Sequence, residues 1–186
     1  MKRLIDLVLA LIAASLLLVP IVVVAVLVKL TSKGPALYWS NRVGMYNTIF
    51  KMPKFRSMKI KTPAVATHLL LDPGIVLTPL GDFLRKSSLD ELPQLWCILK
   101  GEMSFVGPRP ALFNQDDLIA MRTEKGVDQL TPGLTGWAQV NGWRGNTSLE
   151  KRIEFDLYYI KHWSLLFDMK ILFLTIWKGL INRHAY

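Results

Sequence analysis

The stretch from Leu4 to Val28 limits most strongly what this chain can fold into, because its residues are almost wholly apolar and Asp6 is the only charge among them. A helix of about 25 residues is long enough to cross a bilayer core of about 30 Å. Two features argue against a simple crossing. Pro20 sits near the centre of the run, where a proline removes a backbone hydrogen bond and kinks the helix. Lys2 and Arg3 precede the run while Lys29 and Lys33 follow it, so the positive charge that marks cytoplasmic flanks stands at both ends. A kinked hairpin that enters and leaves by one face satisfies both observations; a plain transmembrane anchor is the alternative these residues leave open. A secretory leader fits less well, since the run is too long and no small-x-small cleavage site follows.

The remaining chain is enough for one compact domain. Of the 186 residues, 51% are hydrophobic, yet the net charge is +9. Such a basic excess suits nucleic acid, anionic lipid or a phosphorylated small molecule. Beside the apolar N-terminus, a membrane surface and an anionic substrate are the better fit, and no nucleic-acid partner is expected. Cys97 is the single cysteine, which excludes an intrachain disulfide and fits a reducing compartment. His68, His162 and His184 lack zinc-site spacing. No Walker A or Rossmann glycine pattern supports ATP- or NAD-dependent chemistry.

Chemistry concentrates between Arg85 and Pro110. Ser88 and Glu91 stand in the relation of a capping box, although Pro93 fits better if Asp90 is the N-cap. Either register puts Asp90 and Glu91 at a helix entry, where free amides and the helix dipole favour anions. Ordinary capping would explain an acidic pair by itself. Gly107-Pro108-Arg109-Pro110 adds a second signal, because prolines on both sides hold the backbone around Arg109 extended. Such rigidity suits a guanidinium that grips a phosphate at a fixed angle.

The runs Ser88-Leu-Asp-Glu-Leu-Pro-Gln-Leu-Trp96, Met103-Ser-Phe-Val-Gly-Pro-Arg-Pro110 and Pro132-Gly-Leu-Thr-Gly-Trp-Ala-Gln-Val-Asn-Gly142 resemble the bacterial sugar transferase family, the monotopic polyprenyl-phosphate phosphoglycosyl transferases. The similarity runs through the whole chain in order, matching a small form or the catalytic part of a larger one. It implies a mostly helical α+β fold with a re-entrant N-terminal helix broken at Pro20 (residues 1–30), where this chain has Val19-Pro20 in place of the usual Ser-Pro. Residues 31–186 would form a catalytic domain at the membrane interface, on the cytoplasmic face of the bacterial inner membrane. The implied reaction transfers a sugar 1-phosphate from a UDP-sugar to a polyprenol phosphate such as undecaprenyl phosphate, releasing UMP, as the first membrane step of polysaccharide or glycoconjugate assembly. Asp90 would be the nucleophile of a phosphosugar-aspartyl intermediate. Glu91, with Asp90, would bind Mg²⁺. Arg85, Arg109 and Lys54 would hold phosphate, and Arg56, Pro110, Gln139 and Arg144 would complete the nucleotide and substrate contacts.

The remaining segments are less informative. Residues 41–51 suggest a short hairpin. Lys51 to Lys59 carries four cations in nine residues, which a lipid-facing basic edge would also explain. Residues 61–80, with three prolines, read as irregular. Residues 111–130 suggest a short polar helix, with Asp116 and Asp117 on a solvated face. Thr131-Pro132-Gly133 reads as a turn with glycine available for positive φ, and residues 134–140 as a strand ending at Asn141-Gly142. Trp137 could stack on a base or pack in the core. Residues 149–181 suggest one or two helices, with Trp163, Trp177 and nearby lysines suited to a membrane interface, and Asp168 limiting insertion. Two rivals stay open: direct attack by the lipid phosphate with the acidic pair only binding metal, and a non-catalytic scaffold of a glycan assembly complex. Oligomeric state is not written in these residues, and a homo-oligomer stays open.

Overall fold

A computed structural model describes residues 1–60, 62, 76–143 and 148–181. Helix α1 (Lys2–Thr31) is followed by a hairpin of β1 (Leu37–Val43) and β2 (Ile49–Phe55), then α2 (Gly81–Lys86), a 3-10 segment Leu89–Gln94, and α3 (Leu95–Lys100). Strand β3 (Ser104–Val106), α4 (Asp116–Glu124), a 3-10 turn Val127–Gln129, β4 (Gly133–Thr135), α5 (Trp137–Val140), α6 (Leu149–His162) and α7 (Leu165–Ile181) complete it. The mostly helical α+β class holds.

Helix α1 lies along the globular body from end to end. At its start Arg3 donates to the carbonyls of Ile98 and Leu99, Asp6 accepts from the amide of Phe105 at 3.1 Å, and Lys2 pairs with Asp168 at 2.5 Å. Its middle, Ala10, Ala13 and Leu17, packs against Phe50, Met52, Leu95 and Ile98. Its last turns, Val24 and Val28, pack against Phe55 and Leu84. The opposite face exposes Leu4, Val8, Leu11, Leu16, Val19, Val22 and Val26 to the surroundings. The helix continues through Pro20, so the expected break is no interruption of helical backbone; the proline's missing N–H leaves the carbonyl one turn back, that of Leu16, without its usual donor. Helix α1 thus supplies side chains to two of the packed clusters.

The hairpin expected from residues 41–51 forms, with β1 and β2 antiparallel and Leu37 opposite Phe55. Its tip is tight: Tyr46 and Asn47 both adopt positive φ, the twist that a short hairpin turn demands. Strands β3 and β4 pair in parallel, Ser104 with Gly133 and Val106 with Thr135. Gly133 is required for space and not for positive φ: a Cβ there would come within 2.1 Å of the Gly107 nitrogen. The strand expected over 134–140 is short, because the chain turns into α5 at Trp137.

Residues 149–181 form two helices. Leu166, Met169, Phe173, Ile176 and Trp177 leave an exposed apolar stripe on α7. Asp168 faces the other way, buried, and accepts from Lys2, Tyr159 and Trp163; it therefore puts no charge on that stripe.

Candidate active site

The local chain explains how Asp90 and Glu91 are displayed. Ser88 enters the left-handed region at φ 57°, and its side chain makes no capping bond, so the expected capping box does not form. The reversal turns the chain from α2 into the 3-10 segment Leu89–Gln94, with both carboxylates in its first turn. That segment packs across β2, which supplies Lys54. Lys54 Nζ lies 2.7 Å from Glu91 Oε1 and 3.9 Å from Asp90 Oδ2.

Arg109 arrives from the loop after β3. Gly107 N donates to the Thr135 carbonyl and Gly133 N to the Pro108 carbonyl, each at 2.9 Å, which ties this loop to β4. Two arginines then hold consecutive carbonyls: Arg122 donates to that of Arg109 at 2.7 Å, and Arg42 to that of Pro110 at 3.3 Å. Arg122 is itself fixed by Asp156, whose Oδ2 accepts from its Nε at 3.1 Å and Nη2 at 2.7 Å. So held, Arg109 Nη2 reaches Glu91 Oε1 at 2.7 Å.

These contacts separate two adjacent carboxylates. Burial pushes both upward in pKa. At Glu91 the charges and hydrogen bonds of Arg109 and Lys54 overcome burial and hold the group well below the usual glutamate range. At Asp90 burial wins over the more distant Lys54, with Glu91 adding repulsion, and its pKa is raised. Both Asp90 oxygens and the second oxygen of Glu91 make no hydrogen bond among the described residues. Arg85, on α2, adds its positive field at Asp90. Lys54 is pushed down in pKa, chiefly by burial.

The structure therefore brings together Asp90, Glu91, Lys54, Arg85 and Arg109, with the Pro110 carbonyl at the edge. Other expected residues point elsewhere. Arg56 is buried, and its guanidinium donates to the carbonyls of Ser32 and Lys33 and to the Ser32 hydroxyl; it ties the end of α1 to β2. Gln139 is buried on α5 and donates to the Leu134 carbonyl at 3.2 Å. Trp137 packs among Tyr158, Phe167 and Lys170. Arg144 lies outside the described residues. Arg42, Arg122 and Asp156 were not singled out from the sequence; nothing near them in the chain marks them, and only the fold brings them to Arg109 and Pro110. Asp116 and Asp117 are exposed in the first turn of α4.

Comparison with known proteins bears on this constellation. The family model described as bacterial sugar transferase matches residues 1–182. The chain belongs to the bacterial sugar transferase family. A UDP-glucose:undecaprenyl-phosphate glucose-1-phosphate transferase of Escherichia coli K12 is 44% identical, over all of this chain and 41% of that protein. One of Caulobacter vibrioides with the same name is 39% identical over all of this chain and 72% of its own length. An uncharacterised sugar transferase of Bacillus subtilis, EpsL, is 39% identical over 98% of this chain and 89% of its own. The chain thus spans about two fifths of the E. coli relative and most of the shorter ones.

Proposed function

We propose that this sugar transferase is a polyprenyl-phosphate phosphoglycosyl transferase, moving a sugar 1-phosphate from a UDP-sugar to undecaprenyl phosphate and releasing UMP. The observation that carries the reading is Asp90: a buried carboxylate without a hydrogen bond among the described residues, set among Lys54, Arg85 and Arg109. A carboxylate so placed attacks without first losing a donor, and the cations offset its repulsion from a phosphate. An Asp90 oxygen attacks the β-phosphorus of the donor; the new oxygen–phosphorus bond forms as the bond to the bridging oxygen breaks, and UMP leaves with the electron pair. A phosphate oxygen of undecaprenyl phosphate then attacks the same phosphorus and Asp90 departs as a carboxylate, giving a diphosphate-linked sugar. Glu91 keeps Lys54 and Arg109 aimed at the phosphate oxygens.

Mg²⁺ belongs to the proposal. The donor set fits it, since Asp90 and the unpartnered oxygen of Glu91 are hard ligands of the number this ion usually takes from protein beside substrate phosphates. When bound, it would supply further neutralisation of phosphate charge.

The membrane arrangement is part of the same reading. Helix α1, about 45 Å long at the usual rise, is the described helix long and apolar enough to cross a membrane. Contacts of Lys2, Arg3 and Val28 with one body support the view that both ends stay on one side. Its exposed face would enter the bilayer from the cytoplasmic surface, and the stripe on α7 would lie in the interface. The active site then stands where a soluble donor and a lipid acceptor meet.

The test is turnover by purified protein in lipid nanodiscs with UDP-glucose, undecaprenyl phosphate and Mg²⁺, UDP-glucose being the donor for which two of the relatives are named. Formation of UMP and a lipid-linked sugar diphosphate, abolished in Asp90→Asn, is the expected result. Turnover retained by a clean Asp90→Asn preparation would exclude Asp90 as nucleophile.

A further inference from the structure

Arg42 is a cation for which the reaction above has no role. Near the end of β1, its Nε donates to the Ser40 hydroxyl at 3.1 Å and its Nη1 to the Pro110 carbonyl at 3.3 Å. These bonds occupy two of the five guanidinium N–H groups. The other three, including both on Nη2, meet no acceptor among the described residues. Held at Nε and Nη1, the guanidinium fixes its Nη2 amino group in place with both N–H groups open to an oxyanion.

Its position along the site can be read from the sheet and the charges. Tyr38 stands opposite Lys54, Ser40 opposite Met52 and Arg42 opposite Phe50, so Arg42 and Lys54 rise from one face of the hairpin. Lys54 lies 3.9 Å from Asp90 and 2.7 Å from Glu91, Arg109 lies 2.7 Å from Glu91, and Arg42 holds the carbonyl of Pro110, the residue after Arg109. The contacts therefore form a row, from Asp90 through Lys54, Glu91 and Arg109 to Arg42. Four cations face two carboxylates, and the uncompensated charge suits a diphosphate better than a monophosphate.

The geometry points to Arg42 as the grip on the nucleotide-side phosphate of the donor, the phosphate that leaves as UMP. This rests on Asp90 attacking the β-phosphorus, because in-line displacement sends the leaving group away from the attacking oxygen and Arg42 stands at the end of the row away from Asp90. It also explains why the Pro110 carbonyl is held by a side chain: that bond fixes the plane of the guanidinium beside Arg109.

The experiment is calorimetric binding of UMP to the full chain in detergent, for the wild type, Arg42→Gln and Arg42→Lys, with melting temperatures and the KM for donor and for undecaprenyl phosphate. Arg42→Gln should weaken UMP binding and raise donor KM about 10- to 100-fold, the size expected for a lost charge-assisted hydrogen bond. The KM for undecaprenyl phosphate should stay unchanged, and Arg42→Lys should recover part of the UMP affinity. A purely structural arginine would instead lower the melting temperature and leave the UMP affinity of the folded variants intact, which would overturn the assignment. Equal weakening toward donor and acceptor would overturn it too. If the wild type itself binds no UMP, the phosphoglycosyl reading fails as well; undiminished UMP binding in Arg42→Gln removes only the role of Arg42.

Discussion

Two carboxylates adjacent in sequence differ because their neighbours do. Glu91 receives Lys54 and Arg109 at 2.7 Å each, while Asp90 has Lys54 only at 3.9 Å. The acid limb of kcat should therefore stand above the ordinary aspartate range, since a raised Asp90 loses its charge early as pH falls. The alkaline limb should stand below the ordinary lysine range, because burial pushes Lys54 down. Lys54→Arg should move that alkaline limb upward; a pH–rate profile whose alkaline limb is unmoved would rule out Lys54 as its source. Glu91's depressed pKa gives stability that is present above its unfolded value of about 4.3 and is lost as pH falls through the folded value. Glu91→Gln should reduce kcat about 100-fold or more, as it releases both cations from their common anchor, and should weaken the dependence on Mg²⁺; normal turnover with an unchanged metal titration would remove Glu91 from both roles. The sequence motif marked Asp90, Glu91, Lys54, Arg85 and Arg109, and the fold brings these together. It could not orient Arg56, because the run Lys51–Lys59 shows four cations but not that Ser32 and Lys33 present acceptors to one of them. Arg42 was illegible for the opposite reason: the carbonyl that fixes it is 68 residues away.

At the scale of elements, the apolar run predicted α1 and the residues around Gly44 predicted the hairpin, because both signals are local. The parallel pair β3–β4 was not legible, since each strand is three residues long and its partner lies some 30 positions away. Gly107 and Gly133 are the trace it leaves in the sequence, glycines kept by the closeness of two backbones. Behind that pair, Arg122 and Asp156 join α4 to α6 and hold the Arg109 carbonyl. Asp156→Ala leaves Arg122 buried without its anion and should cost about 3–5 kcal/mol, read as a lower denaturation midpoint in detergent; a change below 1 kcal/mol would show that the pair does not brace the loop. Helix α1 makes a sharper prediction. Reporters fused ahead of Met1 and behind Tyr186 should both be cytoplasmic, because the two ends of α1 contact one body. A periplasmic N-terminal reporter would restore the plain transmembrane anchor.

For the whole molecule, the exposed apolar sides of two helices and one cluster of charged side chains bear on the composition. The exposed sides of α1 and α7 account for part of the hydrophobic share, while the cations around Asp90 and Glu91 give part of the net charge of +9 a specific use. A buried Asp90 among fixed cations, carried on a body braced against an apolar helix, suits the proposed reaction, whose donor is soluble and whose acceptor is lipid. The measurement that tests this most directly is the intact mass of the protein after incubation with UDP-glucose and Mg²⁺ and without undecaprenyl phosphate. The account predicts a hexose-phosphate increment that is absent in Asp90→Asn and is discharged when the lipid acceptor is added. Turnover with acceptor present, but no increment in its absence, would contradict the aspartyl intermediate and leave direct attack by the lipid phosphate in its place.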